Sequence, residues 1–167
     1  TNVNGTLFFV GNDSLHGSEL WKTNGHISAT NIVKDINVGI ESSYPRYLAN
    51  HNYALYFQAN SSNLNTGLWK SKGTTSETNL ITDTIFSVFS KSIDNDLFLG
   101  NSNKLYKSNG SAAGTIEIAS VNADDLYKVN NHLVVSSFSF GLQSFDLLNN
   151  YQPTLLSSNN NEIQLMG

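Results

Sequence analysis

The reading turns on Leu20-Trp21-Lys22-Thr23-Asn24-Gly25. The run returns as Leu68-Trp69-Lys70-Ser71-Lys72-Gly73 and as Leu105-Tyr106-Lys107-Ser108-Asn109-Gly110, with a decayed fourth copy at Ser144-Phe145-Asp146-Leu147-Leu148-Asn149. Nine residues after each aromatic stands a threonine: Thr30, Thr78, Thr115 and Thr154. Aromatic and threonine are separated from their next copies by the same three intervals, 48, 37 and 39 residues. Two markers holding one register identify an internal repeat, which must be recognised before any local structure is assigned.

Each copy has the same flanks. Upstream lies a short apolar run (Leu7–Val10, Leu55–Phe57, Leu97–Leu99, Leu133–Val135), preceded by a turn pair: Asn4-Gly5, Asn52-Tyr53, Asp94-Asn95 or Asn130-Asn131. Asn, Asp and Gly tolerate the positive φ that a tight hairpin needs. Four residues past the aromatic comes Gly25, Gly73, Gly110 or Asn149, which predicts a second left-handed turn. Downstream of each threonine is another β-rich run, and a fourth strand precedes each Asn-type turn. A unit of four short antiparallel strands in about 40 residues is the pattern of a propeller blade. The chain therefore reads as all-β, a propeller-like array of units at 1–44, 45–86, 87–123 and 124–160, with a solenoid as the other arrangement of short β repeats. Residues 161–167 fall where a further inner strand, or a strand closing the ring, would begin. Thr1 at the first position, and an inner strand cut short by that start, predict either closure of a four-unit ring or a larger ring with more units.

Composition excludes several function classes. Lys and Arg number 9 against 13 Asp and Glu, a net charge of −4, and charged residues are only 13% of the chain. A mildly acidic chain without basic clusters predicts neither a nucleic-acid nor an anionic-membrane partner. The absence of Cys removes disulfides, thiolate metal sites and thiol nucleophiles. No apolar run approaches the roughly 18 residues of a membrane-spanning helix. Polarity comes instead from 24 Asn and 22 Ser, the residues of turns and loops.

The motif resembles the ELWxxDGT-repeat proteins, a family of bacterial exported and surface proteins. The resemblance lies in Glu19-Leu20-Trp21-Lys22-Thr23-Asn24-Gly25 with His16-Gly17 ahead of it, and in Gly67–Thr74 of the second copy. The third copy keeps Ala113-Gly114-Thr115, and the fourth has neither Trp nor Gly. It implies a propeller-like region of an extracellular or cell-surface bacterial protein with further blades or domains, and carries no common reaction with it.

Little in the sequence suggests chemistry. Trp21, Trp69, Tyr106 and Phe145 recur at one position per unit, where a sugar-stacking ring and a filler between blades are the two readings; repetition favours the filler. His16 and Glu19 are spaced for a metal, but no partner pair recurs, and a turn role is favoured. Asp94-Asn95-Asp96 and Asp124-Asp125 would suit calcium only if loops from two units converged, since Phe98 breaks the EF-hand pattern. No cofactor is called for. Lys22, Lys70 and Lys107 alternate with the aromatics and are expected on a solvated outer face. No G-x-S-x-G is present, and nothing among the carboxylates selects a glycosidase pair. The expected function is a non-catalytic structural or binding module whose loops, among them 37–45, 60–67 and 83–90, present a face to a protein or glycan. Glu41, Tyr44 and Arg46, in and beside the longest inter-unit loop, are the candidate contact residues. A bare spacer and a polysaccharide-acting enzyme are the alternatives.

Overall fold

The computed structural model describes residues 1–62, 66–83, 87–138 and 141–157. It is all-β: sixteen strands in four four-stranded antiparallel sheets, each built from consecutive strands in meander order. The first sheet holds β1 (Asn2–Val3), β2 (Thr6–Asp13), β3 (Gly17–Thr23) and β4 (Asn31–Lys34). The second holds β5 (Arg46–His51), β6 (Ala54–Asn60), β7 (Thr66–Ser71) and β8 (Thr78–Thr82). The third runs β9 (Phe89–Ile93), β10 (Asp96–Gly100), β11 (Leu105–Ser108) and β12 (Thr115–Ala119). The fourth runs β13 (Asp125–Val129), β14 (His132–Ser137), β15 (Gly141–Asp146) and β16 (Gln152–Ser157).

The turn chemistry places the inner hairpins where the Asn-type pairs stand. Asn4, Gly5, Asn52, Tyr53, Asp94 and Asn130 all have positive φ. Alternation along the strands then gives every sheet two apolar sides, and the core is the set of layers between consecutive sheets. Between the first and second sheets lie Phe8, Leu20 and Val33 against Leu55, Phe57 and Trp69. Between the second and third, Tyr56 and Leu68 meet Leu97, Leu99 and Tyr106. Between the third and fourth, Phe98 and Leu105 meet Leu133, Val135 and Phe145. In the second, third and fourth sheets the aromatic of the motif thus turns toward the preceding sheet, and in the first three the Leu beside it turns toward the following one. This sequential layering, with inner strands β5, β9 and β13 neighbouring one another, is propeller-like.

Three expectations need correction. Lys22, Lys70 and Lys107 do lie opposite the aromatics, but that side is covered by the next sheet rather than by water. Lys22 Nζ donates to the Gly73 carbonyl at 2.6 Å, Lys70 lines one hollow with Gly110, and Lys107 pairs with Asp96 at 2.7 Å beneath the Tyr151 ring. The fourth left-handed turn falls on Asn150 and Tyr151 (φ 51° and 56°), one residue past Asn149. Thr154 lies opposite Ser144, whereas Thr78 lies opposite Ser71 and Thr115 opposite Ser108. The fourth outer hairpin closes through 147–151 instead of a loop like 72–77, so its outer strand enters in a different register. Residues 158–167, and with them the expected closing or further strand, lie outside the described residues.

Candidate functional site

The motif itself proves to be a turn lock. In the first three units the residue two past the aromatic carries a hydroxyl: Thr23, Ser71 or Ser108. That oxygen accepts the backbone N–H of Gly25, Gly73 or Gly110, each at 3.0 Å. It also bonds the hydroxyl of Thr30, Thr78 or Thr115 at 2.8 Å. Those threonines donate in turn to the carbonyls of His26, Thr74 and Ser111. The glycines sit at φ 97°, 99° and 87°, a region an L side chain enters at a cost. The repeat's glycine and threonine are therefore structural, and the hydroxyl two residues past the aromatic is the member that sequence reasoning left unassigned.

The only unit with an acid before its Leu-aromatic pair uses it differently. Glu19, fully buried on β3, accepts the N–H groups of Ile36 and Asn37 at 3.2 Å, the Ser43 N–H at 3.1 Å and the Ser43 hydroxyl at 2.5 Å. Burial pushes its carboxyl above the usual carboxylate value, against the pull of these four donors. The carboxylate thus holds both ends of loop 37–45 from beneath. Ser42 Oγ accepts Ser18 N–H at 2.9 Å, Asn37 donates to the Ser42 carbonyl, and the Ser43 and Tyr44 N–H groups reach the Ser18 carbonyl. Gly17 allows this approach: a Cβ there would stand 2.7 Å from the Ile40 carbonyl oxygen.

Asn37, Ser43 and Pro45 are buried, and the loop's larger apolar side chains face outward. Val38 is 79% exposed, Ile40 75% and Tyr44 59%, on a backbone with positive φ at Gly39 and Tyr44. Glu41 is exposed beside them, and Arg46 lies half-buried at the foot of the loop, its guanidinium 6.0 Å from the Tyr47 ring and 3.4 Å from Thr66 Oγ1. Of the expected contact residues, Glu41 and Tyr44 are presented to solvent, and Arg46 is engaged at the base. The tips of the other two candidate loops include residues 63–65 and 84–86, outside the described residues.

The remaining candidates are spent on structure. His16 turns away from Glu19 to Asp13, Nδ1 to Oδ2 2.9 Å; the contact raises the imidazole and lowers the carboxyl from their ordinary values. Asp13 Oδ1 also accepts the Leu15 and His16 N–H groups, a turn that Asn101 reproduces with Asn103 and Lys104. Among the acidic pairs, Asp94 is bound by Lys128 and Asp125 by Lys91 at 2.9 Å, both across the third junction. Burial raises Asp125, but its hydrogen bonds to Tyr127, Lys91 and Leu126 outweigh this and hold it low. No group of three or more metal-ligating side chains occurs among the described residues. The four recurring aromatics are separated as well: Trp69 and Phe145 are buried between sheets, Tyr106 packs at the second junction, and Trp21 is half-buried on the outer side of the first sheet. They form no common stacking surface.

One buried titratable group joins two sheets. His51, 1% exposed on β5, bonds Ser92 Oγ of β9 at 2.8 Å through Nδ1 and meets the Tyr56 ring edge-on. Burial lowers its imidazole below the ordinary value, keeping it neutral.

No protein-family model and no curated protein matches this sequence. Among solved structures, a chain of a nidogen/laminin complex is similar, with TM-score 0.55 and 9% identity over 93% of this chain. This chain spans 63% of that one's length. At such identity the likeness concerns the fold alone, and it accords with a propeller-like all-β array.

Proposed function

We propose that this chain is a non-catalytic protein-binding module, part of a β-propeller in an exported bacterial protein, and that loop 37–45 with its neighbours is its contact face. The observation carrying this is the contrast within the loop: a backbone fixed by a buried carboxylate beneath side chains that are apolar and exposed. Pre-fixing the backbone removes much of the ordering cost of binding, and Ile40 and Tyr44 supply the apolar anchors around which interfaces are built. Glu41 provides a polar rim, with Arg46 supporting the base. The similar solved chain comes from a complex between two proteins, and the motif's likeness to ELWxxDGT repeats supports export and a surface setting.

The test is a binding screen of the chain against extracellular proteins and glycans, followed by titration of any hit. Saturable protein binding weakened at least tenfold in Ile40→Ser/Tyr44→Ala, with thermal stability retained, is the expected result. A glycan hit insensitive to the pair would move the site elsewhere. No binding across the screen would favour a spacer, and carboxylate-dependent polysaccharide turnover would overturn the non-catalytic reading.

A further inference from the structure

The first two internal junctions share one construction. At the first, the Phe8 ring stands over the second sheet's glycine turn, so that a Cβ on Gly73 would lie 3.3 Å from its Cζ. Lys22 donates to that turn's carbonyl, and Trp69 is enclosed to 7% exposure. At the second, the Tyr56 hydroxyl stands over Gly110, and Tyr106 packs against the cluster containing Leu68. The rule is an aromatic and a lysine from one sheet over the next sheet's turn, and a leucine against the layer holding the next sheet's motif aromatic.

The aromatic-bearing side of the first sheet carries the receiving half of this construction. Leu7, Phe9 and Trp21 occupy the ladder positions of Leu55, Phe57 and Trp69. Leu7 is 45% exposed where Leu55 is fully buried. Thr30 is exposed and Thr23 half-buried, where Ser71 and Thr78 are fully buried. The indole of Trp21 lies over Gly11, where an added Cβ would stand 2.5 Å from its Cδ1. Among the described residues, chain neighbours aside, no atom lies within 4 Å of a Cβ on Gly25, whereas Gly73 and Gly110 are roofed by the sheet before them.

We propose that this side docks a further four-stranded unit of the same repeat, presenting its lysine-bearing side. Its aromatic covers Gly25, its leucine packs on Phe9 and Trp21, and its lysine donates to the Gly25 carbonyl. The chemistry disfavours a second copy of this chain. The lysine-bearing sides of its first three sheets are covered already, and the fourth offers Ser144 and Asp146 at the motif positions of leucine and lysine, with His132 paired to Asp146 where Phe8, Tyr56 and Phe98 pair with the lysines. An aspartate there would set carboxylate against the turn carbonyl, acceptor against acceptor.

The probe is this chain extended before Thr1 by a copy of residues 45–88, with Trp21 kept as the sole tryptophan by Trp69→Phe and the matching change in the added copy. Acrylamide quenching of Trp21 is expected to fall several-fold against the unextended Trp69→Phe chain, toward the level of Trp69 in a Trp21→Phe chain. A Leu68→Lys change in the added copy should abolish the protection. Equal quenching with and without the extension overturns the proposal, as does cleavage of the added unit by protease while the rest resists. Concentration-dependent dimerisation of the unextended chain that protects Trp21 also overturns it, and makes a second copy the occupant.

Discussion

The second and fourth sheets have the same strand order, yet they are stabilised differently. In the second, both sides are covered, and Leu68 and Thr78 are fully buried. In the fourth, the described residues cover only the Phe145 side. The opposite side is an open hollow lined by Val129, His132, Val134, Ser144, Thr154 and Leu156. Its outer hairpin lacks the hydroxyl lock, because Leu147 stands where Ser71 stands. The comparison teaches that the motif encodes two separable things, a closed turn and a surface for the next sheet. The fourth unit has lost both together while keeping its β ladder.

That separation can be broken by substitution. The largest contrast is expected from Leu68→Ala, which leaves a cavity between two sheets and should cost about 2–5 kcal/mol by denaturant unfolding. Ser144→Ala, at the same motif position of the fourth unit, should cost less than about 1 kcal/mol. Equal losses would mean that the fourth sheet's open side is covered in solution.

A smaller contrast tests the lock. Thr78→Val removes a hydroxyl bonded to Ser71 and to the Thr74 carbonyl within a buried turn, and should cost about 1–3 kcal/mol. Thr154→Val, exposed and outside any such turn, should stay within about 0.5 kcal/mol. A Thr154 effect as large as that of Thr78 would restore the fourth unit to the motif.

The smallest effect is in pH. His51 binds its proton less readily when folded, so its contribution is complete above the ordinary imidazole value of about 6.5. It is lost as pH falls from there to the lower folded value, because in that window only the unfolded chain gains by protonation. His16 works in reverse: raised by Asp13, it stabilises below about 6.5 and ceases to do so as pH rises through its folded value. An NMR titration should place the His51 midpoint below that of His16, and the opposite order would contradict both environments.

Strand order and the first three outer turns were legible because each depends on residues close in sequence. Asn-type pairs, alternating apolar positions and the glycine each act within one hairpin. What was not legible depends on partners far along the chain. A turn-stabilising or solvent-facing role is what the sequence favours for Glu19, but the loop it holds is not legible there, because its donors at Ile36, Asn37 and Ser43 lie 17 to 24 residues away. Lys22 looked solvated because alternation tells which side of a strand a residue takes, and says nothing of what covers that side. Thr154 kept its spacing while losing its place, since a shorter turn shifted the strand register beneath an unchanged count.

The bond from Lys22 to the carbonyl of Gly73 has an evolutionary corollary. A contact that reads main chain asks nothing of the side chains displayed around it. The turn can therefore carry Asn24, Lys72 or Asn109 at the same place without disturbing its neighbour. Mutational drift at the tips is tolerated as long as the glycine remains, so the outer rim of such an array is free to diversify while its seams stay interchangeable.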